Sequence, residues 1–283
     1  MRQYKKISRK SLIPQRIFIY WHNGFENAPE VVHFCVKSWK VRNPGFEIVE
    51  LDSENLSSWI RPNEYLNADV LATLTVQKYS NLVRAALLER FGGLWVDATL
   101  YCSTPVESWL DLRKEPGFFA LSTGTSSNRF VRNYFLASRP GNFFIRGWLR
   151  SYVVFLRRGH LPMKKSLQKR LWKKFPWLSR TKLGTVFWTL KWSAKRYGYP
   201  YLIMHYLANR LILFSPRYAI AFFRMQKVFP GEALRYQEES DPIGFAEEFS
   251  SGTKPVWKLT WRTEVAPDFW KIALAAVRDD VGP

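Results

Sequence analysis

Between residues 79 and 100 the spacing of apolar residues changes from that of a helix to that of a buried strand. The first part carries apolar side chains at helical intervals, namely Leu82, Val83, Ala86, Leu87 and Phe91. This spacing predicts a helix with Ser80 as its N-cap and Gly92-Gly93 as its stop. Residues 94–96 are too few and too β-prone for a second helix, so they predict a strand with Asp97 at its carboxyl end.

The same kind of periodicity predicts alternating strands and helices along the chain. The predicted strands are residues 16–21, 46–51, 117–121 and 256–261, and the predicted helices are residues 29–41, 142–156, 201–214 and 267–278. The opening order strand–helix–strand favours a parallel sheet. Because 283 residues can bury one large core, we expect one α/β domain over residues 1–283, with a mostly parallel central sheet and flanking helices.

The end of the strand at Asp97 is a candidate binding site, because open α/β sheets bind ligands at the carboxyl ends of strands. Asn81 and Arg84 are three residues apart, share one face of the first predicted helical turn and could reach Asp97. A guanidinium fork bonds hydroxyl or phosphate oxygens, while a carboxylate accepts from sugar hydroxyls or holds a divalent cation. These residues suit a polyhydroxylated, phosphorylated ligand. An amphipathic helix with a polar start, followed by a strand with a polar end, fits the spacing equally well.

The residues from Ser80 to Thr99 also carry a known type of signature. They contain S-x-x-x-R-x-x-L-L-x-x-x-G-G-x-W-x-D-A-T, which resembles the signature of the capsular-polysaccharide-synthesis glycosyltransferases, relatives of yeast-type mannosyltransferases and glucosylating toxins. The resemblance continues at residues 13–21, 38–39, 43–45 and 258–261. It implies a GT-A nucleotide-sugar transferase fold. It also implies retaining transfer of a hexose from a nucleotide-diphosphate sugar, expected to be a UDP-sugar, to a lipid-linked saccharide acceptor in capsule or surface polysaccharide synthesis.

The resemblance implies roles for individual residues. Asp97 is expected to act in catalysis with Arg84 and Asn81, which bind sugar or ribose hydroxyls, and to hold Mn²⁺ or Mg²⁺ together with Thr99. Two departures bear on the metal. Asn81 stands where the wider family has Asp, and Thr99 stands where the toxin and yeast branches have a second Asp. Because a neutral amide adds no charge for a cation, a relative that works without metal stays open as an alternative.

Four residues are expected to contact the nucleotide. Trp21 ends the first predicted strand and could stack on a uracil-like base or pack the core. Asp52 follows the second predicted strand and could accept from a ribose or base edge, or cap the residues after it. Lys258 and Trp261 match the C-terminal element that folds over the donor in family relatives, where Lys258 would neutralise phosphate charge. The alternative for Lys258 is an exposed lysine on an edge strand.

Positive charge is concentrated in the middle of the chain. Residues 116–231 contain 22 of the 43 basic residues and no acid, which accounts for the net charge of +20. Catalytic carboxylates must therefore lie outside this interval, which itself favours contact with anions. His205 lies within it in an apolar helical pattern, where a core histidine is more common than a ligand.

Residues 157–196 combine 13 of these cations with aromatic and aliphatic side chains. This combination predicts a basic helical insertion that faces an anionic membrane surface, where indole rings and cationic stems are both favourable. Nucleic acid is a less favoured partner. The rival to the enzyme is a non-catalytic nucleic-acid- or membrane-binding protein, which leaves the Gly92-Gly93…Asp97 arrangement unexplained.

Two features bear on location. No uncharged apolar run reaches the roughly 18 to 20 residues that span a bilayer, and the basic residues 1–10 are followed by a predicted core strand. Cys35 and Cys102 predict neither a disulfide framework nor a zinc site. We therefore expect a cytoplasmic protein that is peripheral on the inner face of the cell membrane.

Overall fold

The computed structural model describes residues 12–122, 128–159, 162–228, 234–236 and 254–261. Its helices are α1 (Glu30–Arg42), α2 (Ala68–Ala72), α3 (Val76–Phe91), α4 (Phe143–Arg157), α5 (Lys165–Lys174), α6 (Trp177–Arg180), α7 (Lys182–Val186), α8 (Lys191–Tyr197), α9 (Ile203–Phe214) and α10 (Pro216–Arg224). Its strands are β1 (Arg16–Tyr20), β2 (Glu47–Leu51), β3 (Gly93–Asp97), β4 (Leu100–Cys102), β5 (Phe118–Ser122), β6 (Val131–Ser138), β7 (Leu234–Tyr236) and β8 (Val256–Lys258).

The central sheet has five strands in the order β2-β1-β3-β6-β5 within the described residues. β1 pairs in parallel with both β2 and β3, whereas β6 pairs antiparallel with β3 and β5. Four of the five strands therefore run in one direction. A smaller sheet has the order β4-β8-β7 and brings the C-terminal strand β8 against β4. The predicted mixed α/β fold, with a mostly parallel central sheet and flanking helices, is confirmed.

Side chains of the central strands alternate between two cores, one on each face of the sheet. Phe18 and Trp95 pack in the core that contains α3 and α4, whereas Ile19 and Val96 pack in the core that contains α1. Successive residues of a strand face opposite sides of its sheet. Asp97 follows Trp95 by two positions and therefore lies on the α3 side.

Helix α3 ends directly before β3 because Gly92 adopts a left-handed backbone conformation, with φ of 65°. The Gly92 N–H donates to the carbonyl oxygen of Leu88 at 3.0 Å. A Cβ on Gly92 would lie 2.6 Å from Pro140 Cδ and 2.7 Å from the carbonyl oxygen of Ser138. The predicted glycine stop is confirmed, and it lets one short connection join the helix and the strand of the candidate site.

The predicted start of the same helix is wrong, because α3 begins one turn before Ser80. Tertiary contacts stabilise this additional turn. Lys78 is only 4% exposed, and its ammonium nitrogen lies 4.4 Å from the centre of the Tyr199 ring. Asn81 and Arg84 therefore lie inside the helix and not in its first turn.

The other predicted elements within the described residues agree with the structure to within three residues at each end. Five elements of the structure were not predicted, namely α2, α10, β4, β6 and β7. β6 is buried on both faces along most of its length, so it lacks the alternation of apolar and polar residues that identifies a half-buried strand. The predicted helix at 267–278 lies outside the described residues.

The basic segment contains the short helices α5, α6 and α7 and nearly all of α8, which ends one residue beyond it. Leu167 and Leu171 of α5 pack against the core, while several aromatic and aliphatic side chains of this segment stay in solvent. Trp177, Leu183 and Trp192 are 54%, 64% and 60% exposed. Within the described residues, no helix combines the length and the apolar character required to cross a membrane.

Candidate functional site

A cleft of about 830 Å³ opens where β1 and β3 end. This volume is within the range of small-molecule and cofactor sites. The structure brings seven of the eight predicted site residues to its lining: Trp21, Asn81, Arg84, Asp97, Thr99, Lys258 and Trp261. The fold thus gathers residues that are up to 240 positions apart in the sequence into one cavity.

Asp52 is the predicted site residue that does not line this cleft. Its Oδ1 accepts hydrogen bonds from the backbone N–H groups of Glu54 and Asn55, both at 2.9 Å. These bonds correspond to the capping role that the sequence left open as the alternative.

Asp97 is held at the end of β3 by groups on its own side of the sheet. Trp95 Nε1 donates to Asp97 Oδ1 at 3.0 Å, and Arg84 Nη1 lies 3.3 Å from the same oxygen. The Arg84 guanidinium carbon also lies 4.9 Å from the centre of the Trp95 ring. The predicted approach of Arg84 to Asp97 is confirmed, although it occurs from the third turn of the helix.

Arg84 is locked in place by hydrogen bonds as well as by this ion pair. Its Nε donates to the carbonyl oxygen of Ser80 at 3.3 Å and its Nη2 to Ser80 Oγ at 3.2 Å. Its Nη1 also donates to the carbonyl oxygen of Asn133 on β6. Burial lowers the pKa of Arg84, and the nearby Asp97 charge opposes that effect. Ser80, predicted as an N-cap, therefore serves to orient the guanidinium.

Lys258 approaches Asp97 from the opposite side. Its Nζ lies 3.1 Å from Asp97 Oδ2 and 2.9 Å from Thr99 Oγ1. The antiparallel pairing of β8 with β4, in which Lys258 is opposite Leu100, positions this side chain. Because Lys258 contacts the carboxylate across the cleft, the alternative of an exposed edge-strand lysine is wrong.

These contacts set the ionisation of Asp97. Burial raises the pKa of Asp97, but the charges of Lys258 and Arg84, together with the hydrogen bonds from Trp95 and Lys258, outweigh burial and lower the pKa to about 2. Asp97 is therefore a carboxylate at neutral pH. Among the described residues that line the cleft it is the only acid, whereas Arg84, Arg129 and Lys258 are cationic. The cleft has an excess of positive charge and suits an anionic ligand.

The predicted metal ligands fit a resident Mn²⁺ or Mg²⁺ poorly in this arrangement. Such cations take several oxygen ligands, among them carboxylates that offset their charge. Among the residues that the structure describes, no group of three or more His, Cys, Asp or Glu side chains could hold a metal ion. Asp97 and Thr99 both accept from the Lys258 ammonium instead.

Two tryptophans from opposite ends of the chain form one wall of the cleft. The rings of Trp21 and Trp261 are 6.0 Å apart, with an angle of 84° between their planes. Trp261 is 45% exposed. The aromatic pair leaves ring surface on which a planar base can stack.

Asn81 and His205 occupy the inner wall. Asn81 Oδ1 accepts from Asn133 Nδ2 at 2.9 Å, so its amide links α3 to β6. His205 is 7% exposed, and its buried Nδ1 has no hydrogen-bond partner within the described part of the chain. Burial, and then the charges of Arg129 and neighbouring arginines, lower the pKa of His205 well below 6.5. The neutral ring is both a core residue, as the sequence favoured, and part of the cleft lining.

Arg129 and Asn133 line the cleft although no sequence pattern had identified them. Both belong to the unpredicted region around β6. A signal was present, because the run from Phe130 to Phe135 is rich in β-branched and aromatic residues. Recognition of that strand would have placed Asn133 on a strand and Arg129 two residues before its start.

Several known proteins are similar to this chain. The O-glycosyltransferase braB of Annulohypoxylon truncatum is 28% identical over 151 residues, which cover 48% of this chain and 36% of that protein. The glycosyltransferase afumC of Aspergillus fumigatus is 29% identical over 166 residues, which cover 52% of this chain and 41% of that protein. The similarity thus spans well under half of each relative.

Solved structures with a limited likeness are also glycosyltransferases. The PaToxG glycosyltransferase has 18% identity and a TM-score of 0.42, covering 65% of this chain and 77% of that chain. A glycosyltransferase involved in the glycosylation of the major capsid of PBCV-1 has 10% identity and a TM-score of 0.40, covering 91% of this chain and 98% of that chain.

The family described as capsular polysaccharide synthesis protein matches residues 1–164, more than half of the 283 residues. The matched segment contains α3 and β3, and hence Arg84 and Asp97, whereas Lys258 lies beyond it. By this match, the chain belongs to the capsular polysaccharide synthesis protein family.

Proposed function

We propose that the chain is a glycosyltransferase that moves a hexose from a nucleotide-diphosphate sugar, a UDP-sugar, to a lipid-linked saccharide in capsule or surface polysaccharide synthesis. The observation that carries the proposal is the cluster of Arg84, Asp97 and Lys258 in a cleft at the carboxyl end of β3. Family membership and the two glycosyltransferase relatives support the same activity.

The charge and shape of the cleft support a nucleotide-diphosphate sugar as the donor. Its diphosphate is an anion that the three cations of the cleft would attract, and Lys258 would stabilise the negative charge that develops on the leaving nucleotide. Asp97, held as a carboxylate, would accept hydrogen bonds from sugar hydroxyls. The exposed face of Trp21 or Trp261 would stack on the base.

Retention is the stereochemistry that these contacts support. Asp97 is the only carboxylate among the described lining residues, and its oxygens already bond Trp95, Arg84 and Lys258. It is therefore poorly placed to attack the sugar or to serve as a base. In the proposed step, the bond between the anomeric carbon and the diphosphate oxygen breaks. The acceptor oxygen bonds to the same face of that carbon, and its proton passes to the leaving diphosphate.

We place the lipid-linked acceptor at an anionic membrane surface, on the cytoplasmic side. The N-cap and outer face of α5 expose six cations: Lys164, Lys165, Lys169, Arg170, Lys173 and Lys174. Trp177, Leu183 and Trp192 on the following segments are more than half exposed. Each Lys or Arg near an anionic surface contributes about 1 kcal/mol, and indole rings add interfacial anchoring. Peripheral attachment would then require no inserted helix.

The donor is tested by calorimetric titration with UDP-glucose, UDP-galactose and GDP-mannose, and by chromatography of released nucleotide. We expect a UDP-sugar to bind and Asp97→Asn to lower turnover at least about 100-fold, the scale of removing one preorganised electrostatic group. Asp111→Asn is the matched control, because Asp111 forms an exposed ion pair with Arg113. Wild-type turnover in Asp97→Asn would contradict the site, and failure of both UDP-sugars would contradict the donor.

The membrane surface is tested by sedimentation with anionic liposomes after all six cations of α5 are replaced by Gln. We expect the variant to stay in the supernatant and to keep donor hydrolysis, which needs only the Asp97 cleft. The double variant Lys173→Gln, Lys174→Gln on α5 is compared with the double variant Lys37→Gln, Lys40→Gln on α1. Both lose two positive charges, but α1 lies on the other face of the sheet. Sedimentation of the sixfold variant, or tighter wild-type binding to duplex DNA than to vesicles at about 150 mM salt, would favour the nucleic-acid rival.

A further inference from the structure

We propose that the Lys258 ammonium is the resident cation of the site, so that the chain binds the diphosphate of its donor without a divalent metal. This inference rests on the proposed nucleotide-diphosphate donor and concerns how its charge is neutralised. It departs from the expectation that Asp97 and Thr99 hold Mn²⁺ or Mg²⁺.

The first support is that the ammonium bonds the same oxygens that a metal would need. Lys258 Nζ lies 3.1 Å from Asp97 Oδ2 and 2.9 Å from Thr99 Oγ1. The other carboxylate oxygen, Asp97 Oδ1, accepts from Trp95 Nε1 and faces the Arg84 guanidinium. A divalent cation would have to displace the ammonium and remain beside a second fixed positive charge.

The second support is the charge of the donor set. Carboxylates that bind a divalent cation offset its charge, and here a single carboxylate already faces two cations at distances of 3.1 and 3.3 Å. Asn81 and Thr99, the other predicted partners of Asp97, are neutral. Among the described lining residues Asp97 is the only acid, so the cleft holds its excess of positive charge before any metal is added.

The third support is that Lys258 keeps a donor for the ligand. A lysine ammonium has three N–H donors. Asp97 and Thr99 accept two of them. The Lys258 side chain lines the cleft and is 20% exposed. The remaining N–H can bond a diphosphate oxygen while Asp97 and Thr99 hold the ammonium in position. Asp97 thus acts as a positioning residue for the lysine.

The experiment measures metal and nucleotide separately. Uptake of Mn²⁺ by the protein alone is followed by the electron paramagnetic resonance signal of free Mn²⁺, and binding of UDP and of pyrophosphate is followed by calorimetry in EDTA and in Mn²⁺. In the wild type we expect no stoichiometric Mn²⁺ uptake. Its affinities for UDP and for pyrophosphate should differ less than about threefold between EDTA and Mn²⁺.

Lys258→Met should lose at least about tenfold in affinity for UDP and pyrophosphate in EDTA, because a charge-assisted hydrogen bond is removed. Mn²⁺ that enters bound to the diphosphate should restore part of that loss, since Asp97 Oδ2 and Thr99 Oγ1 no longer bond an ammonium. Lys258→Arg should keep metal-independent binding. Lys254→Met, on the same segment but outside the cleft lining, is the control and should behave like the wild type.

Two results would overturn the inference: a wild type that binds UDP or pyrophosphate only with Mn²⁺, or a Lys258→Met variant with unchanged affinity in EDTA. Stoichiometric Mn²⁺ uptake by the wild type that disappears in Asp97→Asn would overturn it as well. If pyrophosphate binds in EDTA but no UDP-sugar does, the proposed donor fails while the metal-free anion site stands.

Discussion

Replacement of Asp97 by Asn tests whether the carboxylate stabilises the two cations beside it. The substitution keeps the size of the side chain and removes its charge. The side chains of Arg84 and Lys258, which are 6% and 20% exposed, would then face a neutral amide. A buried cation that loses its counter-ion destabilises the folded state. We expect the variant to fold, with a lower free energy of unfolding than the wild type.

The expected decrease in the free energy of unfolding follows from the lowered pKa of Asp97. Its pKa is lowered from 3.8 to about 2, and each pH unit of lowering corresponds to about 1.4 kcal/mol. We therefore expect the charge to contribute about 2 kcal/mol to the free energy of unfolding at neutral pH. Because the pKa is lower in the folded state, the contribution is present above about pH 4, falls to about half near pH 3 and is lost below about pH 2.

Urea unfolding, followed by tryptophan fluorescence at pH 7 and near pH 3, measures this contribution. At pH 7 the variant should be about 2 kcal/mol less stable than the wild type, and near pH 3 the difference should be about half as large. The control Asp111→Asn removes an exposed ion pair and should cost less than about 1 kcal/mol at pH 7.

The reasoning is refuted if Asp97→Asn costs no more than Asp111→Asn at pH 7. It is also refuted if the difference between wild type and Asp97→Asn is the same at both pH values. A difference that does not depend on pH would assign the loss to packing and not to the charge of the carboxylate.

Three further predictions address neighbouring features. Arg84→Lys keeps the charge but loses the planar fork, so transfer should fall at least about tenfold; a change of donor affinity alone, below about threefold, would make Arg84 an ion-pair residue only. Gly92→Ala should lower the free energy of unfolding by more than about 1 kcal/mol, whereas Gly45→Ala, with open space around its Cβ, should not. Because the pKa of His205 is lowered in the folded state, stability should fall as pH drops below about 6.5, with a slope of up to about 1.4 kcal/mol per pH unit; urea unfolding of His205→Gln should show a smaller slope.

The spacing of apolar residues was sufficient to predict helices with one apolar face and strands that form one continuous apolar run. The helix that carries Leu82 and Leu87, its glycine stop and the strand before Asp97 are all visible in the spacing of apolar residues, because periods of 3.6 and 2 reflect which side of an element is buried. The position of Asp97 at a strand end followed from the same pattern.

Long-range packing determined the rest. The start of α3 before Ser80 depends on the burial of Lys78 against Tyr199, which is 121 residues away in the sequence. The antiparallel strand β6 was not predicted, because burial on both faces removes the alternation that identifies a strand. The single-domain organisation, the membrane-facing role of residues 157–196 and the site roles stay predictions.

In the cleft, too, the sequence indicated some features and only the tertiary structure determined others. The sequence contains a carboxylate at a strand end and a lysine 161 positions later, and the resemblance to a family suggested that both serve the donor. Nothing in the local pattern indicates that the lysine bonds the carboxylate, because the distance between two side chains far apart in the chain depends on how β8 pairs with β4. That pairing places an ammonium where a metal ion was expected, since sheet register, and not local composition, determines which charges meet.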